Sequence, residues 1–446
     1  MTTKVGFDKM DIKEYVQKGV SAIMIKCFTY ENFKSFEKAE LNIESFTTLI
    51  GANSSGKSNA IEGISILANA MTGLDLSVIL DGSKNGNSIV RGGSHGCPRF
   101  KASAFRLGCL VEWSGDNDLL YEIKIRVNGS VMVEEEGLYL VKTDELGPKR
   151  NKVFKTKPAE KDRVEIKVQY KNGKQGKDPD IICVRSAAIL PQMINKISRD
   201  REEQREIVAM METVADQLKG IKYLNPVPSE MRDYVRTTDI ELRTNCANLS
   251  AVLNKICKYS EKKQFLLEFI KELPENDVTD IEFVTTKIGD VIFALKEKSN
   301  NTPELVDARL LSDGTLRCIA VLTAALTSDP GNMIMIEEID NGIHPAKVYK
   351  LIEQLIQIGK ERKIDLVITT HNAALMNSYK KDELIGVSTV YREKEKGTSK
   401  IISLVDIDDF PEMLLSGGLG NAMIDDGLMR ALKNGDSKKD YSWLGV

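Results

Sequence analysis

Apolar positions along this chain recur with two different periods, and the change between them marks its parts. Phe46-Thr47-Thr48-Leu49-Ile50 is a short run of β-formers and predicts a buried strand. Ile61, Ile64, Leu67, Ala68 and Met71 then recur at helical spacing, which predicts a helix over residues 58–71. Upstream, residues 23–28 predict a strand, residues 32–36 a turn, and a second strand ends near Ile43. After two polar loops (residues 81–88 and 90–96), strand-like runs follow at 105–113, 119–127, 131–133, 139–142 and 164–170. Turn signals at Asn128-Gly129 and Asn172-Gly173 make residues 100–185 an antiparallel β-subdomain. From Ser186 to about Leu295 the pattern turns helical, with Ile207, Met211, Val214 and Leu218 in step, and Pro226, Pro228 and Pro274 as breaks. Residues 284–295 fit either a last helix or a strand returning to the core. Residues 316–326 read as an apolar helix, and 333–336 and 366–370 as buried strands. A helix bearing Val348, Leu351, Ile352, Leu355 and Ile356 lies between those strands. The expected parts are an N-terminal extension (1–22), a lobe carrying the β-subdomain (23–190), a helical insertion (191–305), a second lobe (306–410) and a tail (411–446).

The chemistry sits where these elements end. Between the strand at 46–50 and the helix after it lies Gly51-Ala52-Asn53-Ser54-Ser55-Gly56-Lys57-Ser58, which fits G-x-x-x-x-G-K-[ST]. Its glycines let backbone N–H groups close on a phosphate chain, and the helix start adds positive potential. Lys57 is expected to reach the β- and γ-phosphates, and Ser58 to hold Mg²⁺. Far downstream, Leu311-Ser312-Asp313-Gly314-Thr315 opens another helix with a Ser and a Gly at its start, an anion-site pattern. The strand at 333–336 ends in Glu337-Glu338 and so delivers two carboxylates at its C-terminal end. Glu337 is expected to bear on Mg²⁺ through water, and Glu338 to orient and deprotonate the attacking water. A polar turn, Ile339-Asp340-Asn341-Gly342-Ile343-His344-Pro345, follows, and the strand at 366–370 ends at His371, placed to donate to the γ-phosphate.

Composition narrows the class. Charged residues make up 28% and hydrophobic residues 42% of 446 residues, the balance of a soluble globular protein. The net charge of −3 gives no global field toward nucleic acid. No apolar run approaches the ~18 residues of a membrane span, so no membrane is expected. Residues 1–22 lack the apolar centre of a signal peptide, and Met10, Ile12, Tyr15 and Val16 there form either a docking stripe or a loosely packed helix. Seven scattered cysteines with no C-x-x-C pair point to reduced thiols in a cytoplasmic setting. Between Lys142 and Lys177 there are 12 Lys/Arg against 5 Asp/Glu. This run suits contact with nucleic acid or an acidic partner, or hairpin edges kept charged against aggregation.

The ordered set of motifs resembles the ATP-binding-cassette-type ATPases of the SMC/RecF/OLD group. Asn32-Phe33-Lys34-Ser35-Phe36 resembles the start of that group, where the turn lies near the nucleotide. Residues 51–58 resemble its Walker A and 311–315 its signature motif; Ile336-Glu337-Glu338 resembles Walker B, with Glu in place of the more usual Asp. Asp340 and Asn341 resemble the D-loop and His371 the switch histidine, whereas no glutamine-bearing Q-loop is evident and residues 91–95 occupy that region. The resemblance covers residues 23–190 and 305–405. It implies an α/β fold, a P-loop ABC-type ATPase domain with a flanking antiparallel β-subdomain and a helical insertion. It implies ATP and Mg²⁺ as cofactors, hydrolysis to ADP and phosphate, and catalytic roles for Lys57, Glu338 and His371. ATP contacts are expected from Lys34, Ser35, Asn53, Ser54, Ser55, Gly56, Lys57, Ser58, Asn59, Ser312, Gly314 and Asp340, and metal contacts from Ser58 and Glu337. It also implies at least a homodimer, in which the signature Ser312 of one subunit caps the γ-phosphate held by the other.

The wording of residues 311–317 and 337–345 is similar to bacterial ATPases of anti-phage defence operons. These include the ATPase subunits of Septu- and PARIS-like systems and the ATPase half of OLD and Gabija nucleases. OLD-type chains continue into a Toprim nuclease domain. Here about 40 residues follow Ile407, and Asp406-Ile407-Asp408-Asp409 reads as an acidic turn, so an effector is expected in trans. The resemblance implies a sensor or regulatory subunit that controls a toxic nuclease partner, with DNA or a phage protein as trigger. The alternative is a RecF-like DNA-repair ATPase. Against a nuclease with its own site stands the lack of clustered carboxylates outside the ATP motifs.

Overall fold

The structure is a computed structural model that describes residues 24–82, 88–100, 102–144, 147–160, 162–172, 178–272, 278–299, 302–372, 375, 379–380, 383–393 and 395–407. The N-terminal extension, Gly173, Asp408, Asp409 and the 411–446 tail lie outside the described residues. The described chain divides into two compact units, residues 23–221 with the segment from Tyr379 onward, and residues 222–378.

The first unit opens with β1 (Ile25–Phe33), β2 (Phe36–Asn42) and β3 (Phe46–Ile50), then α1 (Lys57–Ala70) and α2 (Leu76–Asp81). Six strands follow, β4 (Ala104–Glu112), β5 (Asn117–Arg126), β6 (Met132–Asp144), β7 (Gly147–Thr156), β8 (Glu165–Tyr170) and β9 (Asp180–Val184). Helices α3 (Ile189–Lys196) and α4 (Glu202–Lys219) come next. The second unit holds β10 (Ile221–Leu224), β11 (Val235–Arg236), α5 (Leu249–Ile256), α6 (Ser260–Lys271), β12 (Val278–Thr285), β13 (Asp290–Ser299) and β14 (Thr302–Asp307). It continues with α7 (Asp313–Thr327), β15 (Met333–Ile336), α8 (Pro345–Arg362) and β16 (Asp365–Thr370). The chain then returns to the first unit for β17 (Val387–Arg392) and β18 (Ser399–Ser403).

In the first unit the strand order is β3-β17-β18-β2-β1-β4-β5-β6-β7-β8-β9. β17 runs parallel to β3 and β18 parallel to β2, while β4 to β9 form an antiparallel succession. All five residues of β3 are buried, so it reads as a continuous apolar run rather than an alternation. The helix after it packs onto aromatic rings of β1 and β2. Tyr30 lies 5.3 Å from Phe36, Phe33 lies 5.3 Å from Phe105, and the Tyr30 hydroxyl donates to the Ala60 carbonyl at 3.1 Å. A Cβ at Gly63 would come within 2.7 Å of the Tyr30 ring, so glycine is what lets α1 lie this close to the sheet.

Two features of this sheet differ from the pattern expected. The runs 131–133 and 139–142 are one 13-residue strand, β6. Its middle carries Glu134, Glu135 and Glu136, whose charge broke the apolar pattern. Strands β7 and β9 were not expected either. β7 carries Lys149, Arg150, Lys152 and Lys155, and its few apolar residues give too weak an alternation to read.

In the second unit β15 and β16 pair in parallel, with β10 beside β15. A smaller antiparallel sheet has the order β11-β13-β12, with β14 also on β13. Residues 191–305 therefore hold most of α3 and all of α4 to α6, but from Val278 onward the chain is strands, and of the two alternatives for residues 284–295 the strand is the one found. Residues 291–295 are buried throughout, and a fully buried strand has no period that separates it from a buried helix. The fold class is α/β, a large sheet with helices.

Candidate functional site

In the first unit the phosphate loop joins β3 to α1. Gly51, Ser54 and Gly56 have φ of 152°, 64° and 122°. Positive φ is the conformation that lets a loop turn backbone N–H groups toward a bound anion. A Cβ on Gly51 would meet the Val390 carbonyl at 2.1 Å, and one on Gly56 would meet the Ser399 hydroxyl at 2.9 Å, so only glycine fits at either end. Helix α1 begins at Gly56 with no side-chain cap. The Lys57 ammonium folds back and donates to the carbonyls of Gly51 at 2.6 Å and Ala52 at 3.1 Å. Ser58 sits in the first turn of α1, and Asn53 and Ser54 are exposed on the loop. The Ser55 hydroxyl is buried with no hydrogen-bond partner. A loop bent at positive-φ residues, an uncapped helix start, a lysine and an orphaned hydroxyl fit a polyphosphate.

The Asn32–Phe36 turn lies against this loop. Asn32 and Lys34 both have positive φ. The Asn59 amide donates to the Ser35 hydroxyl at 2.8 Å. Lys34 forms an ion pair with Glu62 of α1 and donates to the Arg91 carbonyl at 3.0 Å, while Arg91 pairs with Glu62 at 2.7 Å. Lys34 is thus half-buried in an ion triad that ties residues 91–97 to α1. Ser399, far away in sequence, donates its hydroxyl to the Ser55 carbonyl at 2.5 Å and its N–H to the Ser35 carbonyl at 2.8 Å. Neither Glu62 nor Ser399 carries a motif that a sequence reading could find.

In the second unit, strands β15 and β16 deliver the acids and the histidine. Glu337 follows β15, and its carboxylate accepts from the Tyr223 hydroxyl at 2.8 Å. Glu338 has φ of 49°, a conformation that costs a non-glycine residue of order 1–3 kcal/mol. Its N–H donates to the Thr369 hydroxyl at 2.9 Å, and its carboxylate accepts from the Asn341 amide at 3.3 Å. The Asp340 Oδ1 is buried and unpartnered. His371 lies exposed just past β16. Ser312 caps α7, its hydroxyl accepting from the Thr315 N–H at 3.2 Å. A Cβ at Gly314 would lie 2.9 Å from the Gly342 carbonyl, so the start of α7 packs directly on the 339–345 turn. Arg232, missed by the sequence reading, donates to the Leu311 carbonyl at 2.8 Å and to Asp313 at 2.7 Å, fixing the segment before the helix.

The expected site residues therefore fall into two sets. Lys34, Ser35, Asn53, Ser54, Ser55, Gly56, Lys57, Ser58 and Asn59 gather around the loop of the first unit. Glu337, Glu338, Asp340 and His371 lie after two neighbouring parallel strands of the second, with Ser312 and Gly314 at the start of α7. Among the described residues no group of three His, Cys, Asp or Glu could hold a metal ion. Mg²⁺ bound largely through phosphates and water needs no such group; Ser58 and Glu337 are the donors of suitable chemistry. No described helix is long and apolar enough to cross a membrane. No disulfide joins any of the seven cysteines, and burial pushes the Cys97 and Cys246 thiols up to about 12, which keeps them unreactive.

Residues 235–377 match a family model described as "AAA domain, putative AbiEii toxin, Type IV TA system", which is less than half of the chain. No curated protein matches in sequence. Solved structures that resemble the chain include an SMC head bound to the C-terminal winged-helix domain of ScpA, at 15% identity and a TM-score of 0.46 over 85% of this chain and 97% of that one. The SMC head domain from Thermotoga maritima matches at 14% identity and 0.39, covering 85% and 98%. The Smc head from Pyrococcus furiosus, with an extended coiled coil and bound to the C-terminal domain of ScpA, matches at 13% and 0.45, covering 92% and 100%.

Proposed function

We propose that this protein is an ABC-type ATPase that binds ATP with Mg²⁺ and dimerises around it. The observation that carries the reading is the phosphate loop, where Gly51, Ser54 and Gly56 hold positive φ beside Lys57. When ATP arrives, Lys57 exchanges its two carbonyl partners for phosphate oxygens. Phosphates are the better partners, because a charge-assisted hydrogen bond is roughly twice as strong as a neutral one. Ser58 and Glu337 would hold Mg²⁺, with the Glu337 carboxylate oriented by Tyr223. The ion would supply neutralisation of the phosphate charge. Glu338 takes the proton of the attacking water, with its backbone pinned by Thr369 and its carboxylate steadied by Asn341. His371 donates to the γ-phosphate. Ser312 and Gly314 serve the nucleotide held by Lys57 of a second copy.

At the biological level we read the chain as a sensor or regulatory subunit of a bacterial anti-phage defence system, controlling a nuclease effector in trans. The family description over residues 235–377, a toxin–antitoxin term, supports a defence setting. The RecF-like reading needs a basic face for DNA, and basic residues in and just after β7 count against it. Lys152 pairs with Asp178 at 3.0 Å, Lys157 pairs with Asp180 at 2.7 Å, and Arg150 lies 3.7 Å from Glu122. ATP hydrolysis and mass in solution, with and without ATP, test the enzyme. Monomer throughout, with no phosphate release, would refute it. Recovery of the tagged protein from its native host tests the role. A stoichiometric nuclease upholds the defence reading, and DNA alone, bound with a steep salt dependence, replaces it with the repair reading.

A further inference from the structure

We propose that Ser399 is a positioning residue for phosphate binding, because its hydroxyl sets the Ser55–Gly56 peptide so that the Gly56 N–H faces the phosphate. The proposal rests on the nucleotide reading above. Every described peptide bond is trans, so the carbonyl of Ser55 and the N–H of Gly56 point in opposite directions. The Ser399 hydroxyl donates to that carbonyl at 2.5 Å and pulls it toward β18. The Gly56 N–H is thereby turned the other way, to the side of the loop away from β18. Without a partner for the carbonyl, the peptide can rotate, because Gly56 tolerates either sign of φ.

Ser399 is itself held rigidly. It is fully buried, and its N–H donates to the Ser35 carbonyl at 2.8 Å, which couples it to the Asn32–Phe36 turn. The Ser35 hydroxyl, held by Asn59, lies on the same side of Gly56 as Ser399, at 3.1 Å from where a Cβ would stand. The outer side of the Gly56 peptide is thus lined by two hydroxyls, only one of which addresses its carbonyl. Lys57 attracts phosphate by charge, and Ser399 fixes the direction of an amide that touches it.

The test is calorimetric titration of full-length wild type, Lys57→Ala, Ser399→Ala and Ser399→Cys with ATP and with inorganic pyrophosphate. Cysteine keeps the side-chain shape but is a weak donor, so it separates packing from hydrogen bonding. Wild type should bind both ligands and Lys57→Ala neither. Both Ser399 variants should bind ATP and pyrophosphate about tenfold more weakly, the scale of one hydrogen bond to a charged group. Ser399→Cys should keep the wild-type denaturant midpoint, which shows that the loss is not one of folding. Wild-type affinity in both Ser399 variants, or in Ser399→Cys alone, overturns the proposal and leaves the nucleotide reading standing. Wild-type protein that binds neither ligand overturns the nucleotide reading itself, and the proposal with it.

Discussion

Helices α1 and α3 of the first unit start in the same electrostatic situation, with backbone N–H groups that have no partner within the helix. At α3 a side chain meets that need. The buried Glu136 carboxylate accepts the N–H groups of Ile189 and Leu190, each at 2.7 Å, and the Tyr121 hydroxyl at 3.0 Å. At α1 no side chain caps the start, and the preceding loop is built from positions where only glycine fits. An acceptor belongs at both ends. The protein supplies its own at α3, a buried carboxyl, which makes that helix a structural strut, and α1 is shaped for one that comes from outside.

Lys57→Ala tests this contrast most severely. ATP affinity should fall by at least about 100-fold, since several charge-assisted contacts go at once. Retained binding by titration calorimetry would make α1 another structural helix. Glu338→Gln sharpens the picture from the other unit. Turnover should drop by about 10²–10⁴ with ATP affinity unchanged, the pattern for loss of a general base. A phosphate-release assay at saturating ATP reads the first, and equilibrium binding the second. Undiminished turnover would move the base elsewhere.

At α3 the expected readout is stability. Glu136→Ala strands two buried N–H groups and a buried hydroxyl, and should cost about 3 kcal/mol in urea unfolding while leaving ATP affinity alone. The pH dependence has a definite sign. Burial raises the Glu136 carboxyl from 4.5 to about 7, against the lowering pull of its three donors. Between those values the native protein keeps a proton that the unfolded chain has released. The Glu136 contribution to stability therefore falls as pH rises through that window, is fully present below it and is level above it. Unfolding midpoints at a series of pH values should show this slope in the wild type and a flatter one in Glu136→Gln. Equal slopes would mean that the three donors hold the carboxylate ionised throughout.

The two helix starts were unequally legible in the sequence. The motif that marks the α1 site is local. Eight consecutive residues, a strand before them and a helix after them state the motif. The α3 cap is not local, since Glu136 lies in a run of three glutamates that reads as a charged, solvated stretch. Its partners are 53 and 54 residues away. Ser399 is 344 residues from the carbonyl it holds, and Tyr223 is 114 from Glu337. The order of β15, the acidic turn, α8 and β16 was readable because buried strands between amphipathic helices carry both periods clearly. The sheet of β12, β13 and β14 was hidden because burial on both faces of β13 erased its alternation.

Ser312 at the start of α7 stands between the two cases and offers the smallest but most discriminating change. Its hydroxyl already accepts the Thr315 N–H, as a structural cap does, yet the residue is exposed. Ser312→Ala should cost about 1 kcal/mol of stability through the lost cap. If capping is its whole purpose, Ser312→Asp should restore that stability and ATP-dependent dimerisation together, since aspartate caps as well as serine. If a second subunit's phosphate must also approach it, the two readouts separate. Aspartate then restores the unfolding midpoint but repels the γ-phosphate, and mass in solution stays monomeric with ATP. Ser312→Arg should likewise bind ATP as a monomer and fail to pair. A Ser312→Asp protein that dimerises with ATP like the wild type would place α7 with α3, as a helix capped for its own sake.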